Sequence, residues 1–130
     1  MTEDSAGFVR RASEITYESV GTAEGMSKGV LVNGDFGAPN VALRRFVLDP
    51  GAKVPEHTNE IEHEQHVLAG KYVVGIEGEE YTVTAGDTVH IPADAVHWYC
   101  NEGDQPGVFI CAVPTGDDEI KLVESESATE

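Results

Sequence analysis

The sequence predicts an all-β protein, a sandwich or barrel built as one domain, and three observations carry that prediction. Apolar residues sit in short runs and rarely recur at helical spacing. The aliphatic content is β-branched, with sixteen valines against five leucines. Each run is closed by Gly, Pro, Asn or Asp, whose backbone preferences suit turns.

Taken in order, the first expected strands are 15–20 and 29–32, the second closed by Asn33-Gly34-Asp35. Strand 41–48 follows and stops at Asp49-Pro50-Gly51. Strands 64–69 and 72–76 come next, and Glu77-Gly78-Glu79 turns the chain into 80–84. Ala85-Gly86-Asp87 leads into 88–91, and Pro92-Ala93-Asp94 into 96–100. The loop Asn101-Glu102-Gly103-Asp104 precedes the last strand, 108–113. Nine short strands in 130 residues leave room for a single core.

Charge narrows the function. Eight Lys and Arg against 24 Asp and Glu leave a formal charge of −16, which repels phosphate backbones and anionic headgroups. Nucleic-acid and membrane partners are not expected. No run approaches the roughly 18 apolar residues of a membrane span, and Met1-Thr2-Glu3-Asp4 has the wrong sign for a secretion signal, so a cytoplasmic protein is expected. Cys100 and Cys111 match no zinc spacing and are read as free thiols. Self-repulsion on this scale is relieved by screening, which points to a salt-rich cytoplasm and a halophilic protein. Gly34-Asp35-Phe36-Gly37 lacks the spacing of a phosphate loop, so no nucleotide cofactor is expected.

All five histidines, His57, His63, His66, His90 and His97, fall in the strand-rich middle. Neutral imidazole is the commonest metal ligand, and separate strands converging on one point are how barrels build sites. His57 and Asn59, two apart, share one face of an extended strand.

Two segments then become specific. Gly51-x5-His57-x-Asn59-x3-His63-x6-Gly70 and Gly86-x5-Pro92-x-Asp94-x2-His97-x3-Asn101 resemble the two signature motifs of the cupin superfamily. Asp94 stands where the family usually has Gly, in a place that Asp can occupy in a left-handed conformation. Ile61-Glu62-His63-Glu64, Ala38-Pro39-Asn40 and Phe109-x-Cys111-x2-Pro114 are similar to segments of small four-histidine cupins, whose metal is often manganese. The resemblance implies a single-domain β-jelly-roll barrel over 37–116, with N-terminal strands in 1–36 joining a homodimer and an acidic tail over 117–130.

It also implies a metal on His57, His63 and His97, with Asn59 where a fourth histidine would stand. Asn59 either ligates through its amide oxygen or leaves that position to water. One divalent transition metal per chain is implied, Mn or Fe by the subgroup, with Zn, Ni, Co and Cu also compatible with the ligand types. His66 and His90 fall outside the pattern and are expected at the barrel wall or rim.

Alternation places Gln65 with His63, and Tyr99 with His97, on the inner face. By the resemblance Phe109 and Cys111 face the site from the last strand. Alternation alone leaves open whether Arg44, in step with Phe46, or Arg45 points inward, and the subgroup favours Arg44. Arg44, Phe46, Gln65, Tyr99, Phe109 and Cys111 form the expected pocket for a small organic substrate. Oxygenase chemistry on a metal with open positions is the first functional expectation. A redox-neutral lyase or isomerase, and a non-enzymatic binding protein, are the alternatives.

Overall fold

The computed structural model describes residues 7–115 and 120–123. Its strands are β1 (Tyr17–Ser19), β2 (Glu24–Val32), β3 (Val41–Asn59), β4 (His63–Ala69), β5 (Lys71–Ile76), β6 (Glu79–Thr84), β7 (Thr88–Ile91), β8 (His97–Cys100), β9 (Gly107–Pro114) and β10 (Ile120–Leu122). Every pairing is antiparallel, and no α-helix occurs among the described residues.

β3 organises the barrel because, within one ten-stranded curled sheet, its two halves pair with different strands. Its first half pairs with β9 and β2, which extend to β4, β7 and β1. Its second half pairs with β8 and β10, and β8 extends to β5 and β6. Asp49-Pro50-Gly51 therefore does not end a strand, as the turn chemistry suggested; it bends one, with Gly51 at φ 86. A residue with a Cβ resists that conformation. Asn101 holds the corner: its backbone exchanges bonds with Gly51 N (2.8 Å) and Ala52 O (3.0 Å). Its side-chain Nδ2 donates to Leu48 O (3.0 Å) and Gln105 O (2.9 Å). The last residue of the second motif thus clamps the start of the first.

The inner faces bury Leu48, Val67, Tyr72, Val74, Ile91 and Phe109 between the two halves of the barrel. Each such side chain contributes about 1.5–3 kcal/mol relative to exposure. β4 alternates as expected: His63, Gln65 and Val67 are buried while His66 and Leu68 are exposed. Asp94 adopts φ 66, the left-handed conformation expected where the family usually has Gly. Gly70, at φ 83, passes so close to the Pro106 carbonyl that a side chain there would collide with it. Cys100 and Cys111 are thiols outside any disulfide, as expected.

Two elements exceed the sequence reading. β2 begins at Glu24 rather than residue 29, because Met26 is buried opposite Leu48 although polar neighbours mask the pattern. β10 lies within the acidic segment assigned to a tail, and pairs Ile120 with Asn59 and Leu122 with His57. The remainder of that segment, 117–119 and 124–130, lies outside the described residues. No described helix is long and apolar enough to cross a membrane.

Candidate functional site

A cavity of about 590 Å³ opens between the two halves of the barrel. β3 and β8 bring His57, Asn59, His97 and Tyr99 to it from one side. β3 and β9 bring Arg44, Phe46 and Phe109 from the other, with His63 and Gln65 from β4.

His57 faces inward for a reason that simple alternation misses. The register runs Val54↔Tyr99 and then His57↔His97, so β3 carries one extra residue between them. Such a bulge shifts the parity of a strand, and Val54, His57 and Asn59 are all buried as a result. His57 and His97 become direct cross-strand neighbours with ring centroids 4.1 Å apart, and His63 reaches within 6.0 Å of His97 from the opposite half.

The ring nitrogens are set by backbone carbonyls. His57 Nδ1 lies 2.9 Å from Pro55 O, and His97 Nδ1 lies 3.0 Å from Ala95 O. A carbonyl only accepts, so both Nδ1 atoms carry a proton and donate, which makes Nε2 the nitrogen available to a metal. Burial, with smaller contributions from Arg44 and His57, lowers the His63 pKa to about 4, so its ring is neutral at physiological pH. Three imidazoles, two of them oriented by carbonyls in the manner of metal-bound histidines, fit a divalent transition metal.

Around them lies an aromatic wall. Phe46 and Phe109 stack at 5.0 Å, and Tyr99 stacks on Phe109 at 5.5 Å. Gln65 Nε2 donates to the Tyr99 hydroxyl at 2.7 Å. Burial raises the Tyr99 pKa far above its ordinary value, so the phenol stays protonated and can donate.

The structure settles the choice between the arginines. Arg44 enters the cavity, its Nη2 donating to Cys111 Sγ at 3.6 Å, whereas Arg45 points outward and donates to the Tyr17 hydroxyl at 3.0 Å. Cys111 needs a correction: it is 0% exposed and does not line the cavity, because Arg44 and Gln65 flank it across the sheet and cover it.

His66 and His90 lie outside the cavity. His66 Nδ1 meets Thr88 Oγ1 at 3.0 Å, and His90 Nδ1 meets Glu64 Oε1 at 2.8 Å. Glu62, Glu64 and His90 bring three ligand atoms within 4.8 Å of one another on the outer surface. A hydrogen bond with Glu64 raises the Glu62 pKa and lowers that of Glu64.

Sequence reading missed the mouth of the cavity. Arg10, Thr16, Glu18, Lys28 and Phe36 line it, and Arg10 lies over the Phe36 ring at 3.8 Å from its centroid. The N-terminal region is thus part of the cavity wall. The parity of Met26, Lys28 and Val30 on β2 was the available signal.

A jelly-roll barrel whose inner wall gathers histidines from three strand segments defines the class, and sequence comparison agrees. Residues 44–113 match the family described as "Cupin domain", and the chain belongs to that family. No characterised protein in the curated collection matches its sequence. Among solved structures it is similar to the polyketide cyclase RemF from Streptomyces resistomycificus, at TM-score 0.84 and 22% identity over 96% of this chain and 94% of that one. It is also similar to KdgF from Halomonas sp., at TM-score 0.73 and 18% identity over 86% and 96% of the two chains. A predicted oxalate decarboxylase from Thermotoga maritima aligns at TM-score 0.69 and 27% identity over 89% and 100%.

Proposed function

We propose that the protein is a metal-dependent small-molecule enzyme in which His57, His63 and His97 hold one divalent transition metal. Asn59 stands at the fourth position, as an amide-oxygen ligand or beside a bound water. The observation that carries this reading is the pair of Nδ1–carbonyl bonds, which fixes the tautomer a metal needs in both His57 and His97. Mn or Fe is favoured by the subgroup resemblance.

When bound, the metal supplies a Lewis acid that polarises a carbonyl oxygen. The other steps belong to the chain. Tyr99, held by Gln65, presents a proton at its phenolic oxygen. Phe46 and Phe109 exclude water and offer a flat surface to a planar substrate. This set of protic groups beside a polarised carbonyl favours redox-neutral chemistry: cyclisation, isomerisation or lyase cleavage. The similarity to a polyketide cyclase supports the same choice. Oxygenase chemistry is the second reading, favoured by three imidazole ligands that leave coordination positions open. A homodimer in the cytoplasm, paired through the exposed edge strand β1, completes the proposal.

The test begins with metal analysis of protein purified without added metal or a histidine tag. Metal-loaded and metal-free protein are then incubated in D₂O with 1,3-dicarbonyl compounds. Proton exchange at the central carbon, accelerated by the loaded protein with no oxygen uptake, is the expected result. Oxygen consumption would select the oxygenase, and neither signal would leave a binding protein.

A further inference from the structure

Among the described residues, the cavity wall holds a guanidinium without a counter-charge and a buried amide oxygen without a donor. Arg44 is part-buried, and its contacts are the Cys111 sulfur at 3.6 Å and the Phe46 ring at 5.4 Å. Its Nε is buried and meets no hydrogen-bond acceptor among the described residues. Thiol sulfur is a weak acceptor, so a charge that is costly to desolvate is left largely uncompensated by the described residues. Its cross-strand partners are Val30 and Cys111, both neutral. Glu18 and Asp35 line only the exposed rim, and Glu18 stands across from Lys28 rather than Arg44.

Gln65, one strand beyond Cys111, is 2% exposed. Its Nε2 is committed to Tyr99, while its Oε1 is buried without a partner in the wall of the same cavity. Buried polar atoms are normally satisfied, so these two call for a ligand that brings an anion and a hydrogen-bond donor together. In a chain of charge −16, an anion is the ligand that most needs a dedicated cation.

We propose that the cavity binds a planar hydroxy acid, its carboxylate on the Arg44 guanidinium and its hydroxyl donating to Gln65 Oε1. The fork of Arg44 matches the two oxygens of a carboxylate. The ring of the ligand lies against the Phe46, Phe109 and Tyr99 wall. This assignment rests on the reading of the cavity as a small-molecule site and names the class of molecule.

Titration calorimetry with three matched probes tests it: salicylate, benzoate and salicylamide, each on metal-free and metal-loaded protein. Salicylate is expected to bind metal-free protein about tenfold more tightly than benzoate, which lacks the hydroxyl, and than salicylamide, which lacks the charge. Arg44→Gln should abolish the preference over salicylamide, and Gln65→Leu the preference over benzoate. Arg44→Lys, which keeps charge but loses the fork, should fall between. Thermal unfolding of each variant establishes that it is folded. Equal binding of salicylate and salicylamide by wild type, no binding of salicylate at millimolar concentration, or unchanged binding by Arg44→Gln overturns the inference. Discrimination that appears only with metal and survives Arg44→Gln assigns the carboxylate to the metal, overturning this inference while the metal reading stands. Discrimination intact in a protein that takes up no metal overturns the metal reading alone.

Discussion

Strand β4 carries two sets of ionisable groups on opposite faces, and they behave differently. On the inner face His63 is held neutral by burial, its pKa lowered to about 4. On the outer face Glu64 meets His90 at 2.8 Å with both side chains largely in water. Composition alone makes the two clusters look alike, since each joins histidine to potential oxygen ligands. Desolvation separates them: it removes the proton that competes with a metal inside, while solvent screens the charges outside.

The largest expected effect breaks the comparison if it fails. His63→Ala or His97→Ala should lose most bound metal in elemental analysis, whereas His90→Gln and Glu64→Gln should retain it. Asn59→Ala should lose less than either inner histidine, and Asn59→His should bind Zn(II) or Ni(II) more tightly, since imidazole is the better donor. Equal metal content across the inner and outer variants would abolish the distinction between the faces.

Salt sharpens it. The Debye length falls from about 10 Å at 0.1 M to about 3 Å at 1 M, so molar salt screens repulsion among surface carboxylates that the unfolded chain largely escapes. The melting temperature should rise steeply over that range at fixed metal occupancy, measured by calorimetry. A flat response would remove the halophilic reading. The smallest effect belongs to the outer pair: His90→Gln should shift the melting temperature by less than about 4 °C, because exposed ion pairs contribute about 0–1 kcal/mol.

What was legible in the sequence was whatever local chemistry writes down. Val, Ile and turn residues marked the first half of β3 and the strands from β4 to β9, and motif spacing selected the three histidines that meet in the cavity. Asp94 could be placed in a left-handed conformation because few residues tolerate one. The bulge between Val54 and His57 was not legible, since it depends on the register with β8 rather than on either strand. The continuation of β3 through Gly51 was hidden for a similar reason: turn residues there serve a corner that Asn101 stabilises from 50 positions away. The direction of Arg44 became clear only once its strand was paired with β9. Cys111 was misplaced because strand parity gives a face but not what covers it.

The two-sided pairing of β3 has a consequence for how the protein is made. Its two halves meet partners, β8 and β9, that leave the ribosome long after it does. Until residues 97–114 emerge, His57 lacks its neighbour and Arg44 lacks the strand that aims it. A nascent chain therefore passes through synthesis without an assembled centre, and such non-local pairing is slow to form. On the proposed metal reading, acquisition of an ion would follow folding, when the pocket rather than the loose histidines selects what enters.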